Sequence, residues 1–296
     1  MLAGGAVCIF RWHAWFTMSP DPGYVGDTIR HEFVALDHDP TPDSLRLLVL
    51  GDVHNHLNHE DWKRLDTLCP DLDGYIQLGD MVERPYFSYY QTLYHQLDST
   101  VFDSLPILAI PGNHEYRKGI YPSLDTTWTQ IFPMPQNGPA GFEGQSYYVD
   151  LKFVRFIGID TQGLNHLRDY TRHLTWLNQA IDDADGRFVV VMMHHPIYSS
   201  VKHRQNYLLR LFYTRVLRNA DLVLAGHDHC YSRRGHFVTI NSSHKYYPLK
   251  QHPKGAVNVG GVQVYSMLEG NCDSLQLSTY RLEDASLLDE FVVHRQ

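Results

Sequence analysis

Five short motifs contain nearly all the residues of this 296-residue chain whose types and spacing suit metal chemistry. Each follows a short apolar run. In chain order they are Gly51-Asp52-Val53-His54, Gly79-Asp80, Gly112-Asn113-His114-Glu115, His194-His195 and Gly226-His227-Asp228-His229. Carboxylate and amide oxygens combined with imidazole nitrogens form a mixed ligand set, which suits Mn, Fe or Zn better than Ca or Mg. The motifs therefore predict a transition-metal centre.

The spacing within the motifs adds detail to this prediction. Asp52 and His54 are two residues apart just past a strand, so both side chains project to one side and one ion can bind both. Gly51 and Gly79 let the chain turn sharply and approach an ion closely. Asp80 has two carboxylate oxygens, which is enough to bridge two ions.

Short apolar runs precede all five motifs and predict the strands that position them. The runs cover residues 45–50, 75–78, 106–110, 188–193 and 222–225, with the length and composition of buried strands. Helical patterns lie at 59–68, 89–102, 168–184 and 206–219, whereas 146–160 indicates a β-hairpin and 257–268 and 275–293 further strands. Strands alternating with helices predict an α/β fold whose functional loops follow the carboxyl ends of the strands.

The chain divides into two predicted parts. Residues 19–44 are rich in Pro, Asp and Gly, which break regular structure, so residues 1–44 are expected to be an N-terminal strand and an extended connector. Residues 45–296 are expected to form one catalytic domain. The tract 241–258 is predicted to be a long loop, a kind of segment that often forms a functional lid, and it is a candidate for setting specificity.

In this order and context, the five motifs resemble the signature of the calcineurin-like metallophosphoesterases, over roughly residues 45–280. This is a family of dinuclear-metal enzymes that hydrolyse phosphate esters. The resemblance implies a four-layer sandwich, with two central mixed β-sheets flanked by helices. It also implies two ion sites, one formed by Asp52, His54, Asp80 and His229, and the other by Asp80, Asn113, His194 and His227.

The reaction that this resemblance implies uses a metal-bridging hydroxide as the nucleophile. Two divalent ions outweigh the charge of the two aspartates, and the surplus positive charge attracts phosphate. His114 is the candidate acid that protonates the leaving alkoxide, because histidine titrates near neutral pH. Arg84 is the candidate phosphate clamp and Glu83 a candidate to orient His114. Asn113 and Arg84 are expected to bind substrate; His195 either does so too or supports a ligand.

Glu83 separates the chain from two branches that it otherwise resembles. The protein Ser/Thr phosphatase branch has Asp at this position, and the purple acid phosphatase branch has a Tyr ligand there. A purple Fe(III) centre is therefore not expected. The chain is interpreted as a bacterial-type relative that belongs to neither branch proper.

The bulk composition limits the kind of substrate, whereas the start of the chain leaves the compartment open. A formal net charge of −8 and a pI near 6.1 argue against a general nucleic-acid binder, so a small phosphate ester is the expected substrate. No apolar stretch is long enough for a transmembrane helix. The short apolar start could be an edge strand or the remnant of an export signal, which leaves a cytoplasmic and an exported location both open.

Three other functions remain as alternatives. The same metal core serves nucleases and cyclic-nucleotide phosphodiesterases, which cleave diesters. A metal-binding scaffold without catalysis is the third. The complete ligand set and the presence of His114 argue against the scaffold, whereas the sequence makes no prediction about partner proteins.

Overall fold

The computed structural model describes residues 8–14, 29–35, 44–250 and 256–295. The strands are β1 (Cys8–Ala14), β2 (Ile29–Ala35), β3 (Leu45–Leu50), β4 (Gly74–Gln77), β5 (Ile107–Ala109), β6 (Tyr116–Arg117), β7 (Ser123–Leu124), β8 (Tyr147–Leu151), β9 (Val154–Ile159), β10 (Phe188–Met193), β11 (Leu222–Ala225), β12 (Tyr231–Arg234), β13 (Phe237–Thr239), β14 (Val257–Val259), β15 (Val264–Gly270), β16 (Ser274–Arg281) and β17 (Leu287–His294). The α-helices are α1 (His59–Leu68), α2 (Phe87–Leu97), α3 (Thr126–Ile131), α4 (Leu167–Asp182) and α5 (Tyr207–Leu217), with 3₁₀ turns at Val101–Asp103 and Asn113–Glu115.

Two large mixed sheets form the centre of the fold. The six-stranded sheet has the order β17-β16-β15-β3-β4-β5, in which β3, β4 and β5 run parallel. The seven-stranded sheet has the order β14-β12-β13-β11-β10-β9-β8, in which β9, β10, β11 and β13 run parallel. The strands β1 and β2 form a separate antiparallel pair. The predicted pair of mixed sheets is confirmed.

Alternate residues of the seven-stranded sheet face two different hydrophobic cores. Val190 and Met192 of β10 pack in the cluster that contains the residues of the six-stranded sheet. Val191 and Met193, on the opposite face of the same strand, pack with the apolar residues of α4 and α5. Because successive side chains of a strand point to opposite faces, this pattern places one core between the sheets and another beneath the helices.

Helix α1 shows how the sequence sets local structure near the site. Asn58 caps its start by accepting the N–H groups of Glu60 and Asp61, and the Asp61 carboxylate accepts the N–H of Asn58 in return. This reciprocal capping satisfies donors that a helix start leaves free. The helix then buries Trp62 and Leu65 in the core of the six-stranded sheet.

Three predicted elements differ from the observed ones. The helix predicted over 89–102 ends at Leu97, because Ser99 takes a left-handed conformation (φ 60°) and breaks the helical repeat before the 3₁₀ turn. The strand predicted over 257–268 is two strands in different sheets, separated at Gly261 (φ +70°). Residues 29–35, within the predicted connector, form a strand; the rest of 19–43 lies outside the described residues.

Candidate metal centre

The carboxyl ends of β3, β4, β5, β10 and β11 bring all five motifs to one place between the two sheets. Main-chain hydrogen bonds join the motif loops to one another. The N–H of Asp52 donates to the carbonyl of Gly79 (3.2 Å), the N–H of His54 to that of Asp80 (2.9 Å), and the N–H of Gly226 to that of His194 (3.0 Å). The loops therefore support one another as a single unit.

Asp52, His54, Asp80 and His229 form the first donor cluster, and all four are buried. Nε2 of His54 lies 3.3 Å from Nε2 of His229 and 3.6 Å from Oδ2 of Asp80. Nε2 of His229 lies 3.5 Å from Oδ1 of Asp52. These four side chains are the ones that the family resemblance assigns to the first ion.

Asn113, His194 and His227 form the second donor cluster, together with Asp80. Oδ1 of Asn113 lies 2.9 Å from Nδ1 of His227 and 3.2 Å from Nε2 of His194, and these two nitrogens are 3.2 Å apart. Oδ2 of Asp80 lies 3.3 Å from Nε2 of His194. A single oxygen of Asp80 thus faces both clusters, whereas its Oδ1 accepts the N–H of His114 (2.7 Å).

The donor atoms fit a pair of metal ions. In the neutral form of His194, Nδ1–H donates to the carbonyl of Leu78 (2.9 Å), so the Nε2 lone pair points to the other donors. A hydrogen bond of this kind fixes the tautomer of metal-binding histidines in many proteins. Several lone pairs converging within contact distance repel one another unless a cation lies among them. The mixture of oxygen and nitrogen donors suits Mn, Fe or Zn.

Five of the seven predicted ligands have left-handed backbone conformations. Their φ angles are 54° at Asp52, 51° at His54, 52° at Asp80, 69° at His227 and 50° at His229. Such conformations cost about 1–3 kcal/mol each in residues other than glycine, and they persist only where the surroundings impose them. The strain indicates that the positions of these side chains, rather than local stability, determine the backbone here.

The main chain approaches itself most closely where the second and third motifs meet. Gly79 has φ +82°, and a Cβ built on it would lie 2.7 Å from the backbone of Gly112 and from Nδ1 of His194. A Cβ on Gly112 would lie 2.3 Å from Oδ1 of Asp80. Only glycine fits either position, which explains why a glycine stands directly before each of the predicted ligands Asp80 and Asn113.

Glu115 connects the same two motifs through its buried carboxylate. The carboxylate accepts the N–H groups of Asp80 (2.9 Å), Met81 (2.8 Å) and Gly112 (2.7 Å). Burial raises the pKa of Glu115 to about 7, which these N–H donors partly oppose. Glu115 thus has a structural role and fixes the loops that carry Asp80 and Asn113.

The electrostatics of the clusters keep most ligands able to bind a cation. Burial lowers the pKa of His54 to about 2 and that of His229 to about 3, so both imidazoles are neutral at pH 7. Burial opposes ionisation of Asp80, yet the neighbouring His194 holds the pKa of this carboxyl well below its usual range. Burial also acts against charge on His194, but Asp80 raises its pKa to about 9. A metal ion must displace that proton.

A cavity of about 420 Å³ opens over the donor clusters. Its walls are polar apart from one aromatic ring. The lining residues are Asp80, Asn113, His114, Gln162, His195, His203, Arg204, His227, His229 and Tyr247. The volume is in the range of about 300–1,000 Å³ that is typical of small-molecule sites.

His114 faces this cavity, but Glu83 does not hold it in the predicted way. Nδ1 of His114 donates to the main-chain carbonyl of Glu83 (2.6 Å), and its Nε2 lies 4.0 Å from Oδ2 of Asp80. The Glu83 carboxylate instead pairs with Nζ of Lys245, at 2.7 and 2.9 Å, and lies 3.4 Å from Nδ1 of His54. The orienting group is therefore the carbonyl of Glu83, because its side chain is bound to Lys245.

The structure gives the predicted clamp, Arg84, no place in the cavity. Its side chain is exposed, and the arginine in the lining is Arg204. Sequence reasoning missed Arg204 because it lies outside every motif, in the loop between β10 and α5. Its one sequence signal is its position ten residues after His194, beyond the same strand end.

His195 lines the cavity beside the second donor cluster. The hydroxyl of Thr161 accepts the main-chain N–H of His195 (3.1 Å) and lies 2.8 Å from its Nδ1. Burial lowers the pKa of His195 to about 3, so the ring is neutral at pH 7. With Nδ1 engaged by Thr161, Nε2 is the nitrogen left to contact substrate.

Comparisons with known proteins agree with the motifs and the fold. Residues 45–231 match the sequence profile of the calcineurin-like phosphoesterase family. Over 160 residues the chain is 26% identical to the glycerophosphodiester phosphodiesterase GpdQ of Enterobacter lignolyticus (strain SCF1), covering 50% of this chain and 55% of that protein. The chain thus spans about half the length of this curated relative.

Two solved structures share the fold at low sequence identity. The purple acid phosphatase PPD1 from yellow lupin (Lupinus luteus) seeds has a TM-score of 0.71 and 16% identity, covering 90% of this chain and 56% of that chain. GAP50, the anchor in the inner membrane complex of Plasmodium, has a TM-score of 0.62 and 15% identity, covering 86% of this chain and 89% of that chain.

The helices in the described ranges include none with the length and apolar character needed to cross a membrane. The family match covers more than half of the chain, and it includes all five motifs, the last of which ends at His229. The resemblance inferred from the motifs is confirmed. The protein belongs to the calcineurin-like phosphoesterase family, whose members are metal-dependent phosphoester hydrolases.

Proposed function

We propose that the protein hydrolyses small phosphate esters with two metal ions. The observation that carries this proposal is the single oxygen of Asp80 that faces both donor clusters. One ion is assigned to Asp52, His54, Asp80 and His229, and the other to Asp80, Asn113, His194 and His227. When bound, a pair of such ions supplies a nucleophilic water at neutral pH and offsets the negative charge of the phosphate.

His114 is assigned as the general acid. Its Nδ1 donates to the carbonyl of Glu83, so Nε2 is the nitrogen that can carry a second proton toward a leaving oxygen. The ring stands edge-on to His54, with centroids 4.4 Å apart, beside the first donor cluster. This position suits proton transfer to a group departing from that side of the site.

Three further groups are assigned to substrate. Asn113 faces the metal donors with its oxygen, which leaves its amide N–H groups for a phosphate oxygen. His195 is assigned a hydrogen bond from Nε2. Arg204 replaces Arg84 as the cation in contact with substrate, because it lines the cavity and a guanidinium can pair with two oxyanion oxygens.

A diester is the favoured form of substrate, with a monoester as the alternative. The relative GpdQ is named as a phosphodiesterase, although it is matched over about half its length. A nuclease role is disfavoured because the net charge is −8 and the cavity lining includes one arginine. A scaffold without catalysis is disfavoured because both donor clusters are complete and His114 adjoins them.

Metal analysis combined with one assay tests the proposal. Wild-type protein reconstituted with Mn(II) is expected to bind two ions and to hydrolyse bis(4-nitrophenyl) phosphate faster than 4-nitrophenyl phosphate. Asp52→Ala, which disrupts one cluster, is expected to retain about one ion, whereas Asp80→Ala is expected to lose both. Equal metal content in the two variants would contradict the shared role of Asp80, and absence of hydrolysis with two ions bound would contradict catalysis.

A further inference from the structure

One wall of the cavity is built by two loops outside the five motifs. Residues 199–205 follow β10, and residues 241–250 follow β13. Main-chain hydrogen bonds join the two loops. The N–H of Lys202 donates to the carbonyl of Pro248 (3.3 Å), and the N–H of Lys250 donates to the carbonyl of Ser200 (2.9 Å). The buried side chain of Asn241 secures the second loop by donating to the carbonyl of Ser243 (3.0 Å). The wall is thus preorganised.

Arg204 is the arginine by which this wall lines the cavity. Its guanidinium carbon lies 4.3 Å from the centre of the Tyr247 ring, and its Nη2 donates to the carbonyl of His227 (2.9 Å). Its Nε is 4.0 Å from Oδ1 of Asp228, whose carboxylate already accepts the N–H of Ser200 (2.6 Å). Among the described residues, Nη1 of Arg204 has no hydrogen-bond acceptor. The guanidinium is therefore held in place by the Tyr247 ring and the carbonyl of His227, with the Asp228 carboxylate at 4.0 Å as its counter-ion.

The other cation near the donor clusters is not available in this way. Both oxygens of Glu83 accept from Nζ of Lys245, at 2.7 and 2.9 Å, which neutralises its charge. Arg204 is thus the arginine of the cavity lining, and the nearest carboxylate to it, that of Asp228, is engaged mainly by other groups.

Arg204 contacts the outer side of a predicted ligand. Its Nη2 lies 2.8 Å from Nε2 of His227, whereas Nδ1 of the same ring faces Asn113 and His194. The imidazole ring therefore separates the guanidinium from the donor atoms. An anion bound at Nη1 is displaced from the metal positions, so it is a neighbouring group of the substrate rather than an oxygen among the ligands.

We propose that Arg204 determines specificity by binding a second oxyanion, a carboxylate or a phosphate, on the part of the substrate beyond the scissile phosphate. The inference rests on the proposed function. It also assigns a role to the loop that was predicted to set specificity, because the ring of Tyr247 in that loop packs against the Arg204 guanidinium. The preferred substrate is then a small phosphate ester with two acidic groups.

Calorimetric binding of stable analogues to the Mn(II)-loaded protein tests this inference without turnover. The probes are 3-phosphonopropionate and 1,2-ethylenediphosphonate, each compared with propylphosphonate, which lacks the second anion. The wild type is expected to bind either two-anion probe about 10- to 100-fold more tightly than propylphosphonate, as charge-assisted hydrogen bonds predict. The stronger of the two preferences identifies the carboxylate or the phosphate as the second group.

Variants assign the preference to Arg204. Arg204→Gln is expected to reduce the ratio of affinities to within about threefold, and Arg204→Lys to keep part of it, because lysine retains the charge but not the fork of donors. Arg64→Gln, an exposed arginine of α1, is the matched control and is expected to keep the full ratio. Metal content is measured in each variant. If Arg204→Gln has lost metal, the affinity ratio of Arg204→Lys is the result that tests the inference.

Two results would overturn the inference. One is equal affinity of the wild type for one- and two-anion probes, and the other is a preference that persists in Arg204→Gln with two ions bound. A wild type that shows the preference yet hydrolyses no phosphate ester would instead contradict the proposed function and leave the Arg204 site intact.

Discussion

Replacing Glu115 tests whether one buried carboxylate holds the metal-binding loops together. The Glu115 side chain is fully buried, and its carboxylate accepts three main-chain N–H groups at 2.7–2.9 Å, from Asp80, Met81 and Gly112. Each buried donor left without an acceptor costs roughly 1–3 kcal/mol. Water entering the space left by Glu115→Ala would satisfy part of this demand. We therefore expect the free energy of unfolding to fall by about 3–6 kcal/mol, the lower half of the summed range of about 3–9 kcal/mol.

Urea denaturation of the metal-free protein measures this loss. Glu115→Gln keeps the size and one acceptor oxygen but turns an NH₂ group toward a donor, so we expect an intermediate loss. Glu60→Ala removes an exposed glutamate in the first turn of α1 and is expected to change the free energy by no more than about 0.5 kcal/mol. The Glu115→Ala variant is also expected to bind metal more weakly. A loss below about 1 kcal/mol, together with unchanged metal binding, would refute the reasoning.

Three other predictions concern catalysis, pH and metal removal. His114→Ala is expected to keep both ions but to lose turnover about 10²- to 10⁴-fold, as measured with an aryl phosphate; unchanged turnover would exclude the acid role. Burial raises the pKa of Asp160 to about 6 in the folded chain, so the folded state loses roughly 2 kcal/mol relative to the unfolded state as pH rises from 4 to 7. Asp160→Asn removes this pH dependence, so the difference in free energy of unfolding between the variant and the wild type should increase by that amount over the same pH range. Urea titrations at each pH measure this difference, and a difference that stays constant with pH would contradict the prediction. Chelation of metal is expected to lower the melting temperature of the wild type but not that of Asp80→Ala, because a ligand that binds only the folded state stabilises it.

Local sequence was sufficient to predict the donors and their strands. The residues of β3, β10 and β11 are apolar except for Arg46, and their predicted bounds match the observed ones. A buried parallel strand needs such a run, and its carboxyl end has to lead into a loop. The glycine before the predicted ligand Asp80 was also visible in the sequence, although the reason for it, the close approach of Gly79 to Gly112, is a contact between separate loops.

Local sequence misjudged features that depend on several segments. The helix predicted over 89–102 ends at Leu97, two residues before Ser99, whose left-handed conformation no periodic pattern reveals. Arg84 was predicted as the clamp because a guanidinium can pair with two phosphate oxygens, whereas the arginine that lines the cavity is Arg204. Glu83 was expected to reach His114, but Lys245, which is 162 residues away in the chain, takes its carboxylate.

The sequence by itself determined the family, the candidate ligands and the strand ends at which they lie, because each depends on a few adjacent residues with fixed chemical requirements. The tertiary structure alone decided that one oxygen of Asp80 faces both clusters, that the carbonyl of Glu83 holds His114, and that Arg204 lines the cavity. Each of these depends on distances between side chains of separate loops. Such distances are set by the packing of the two sheets, which no single stretch of sequence encodes.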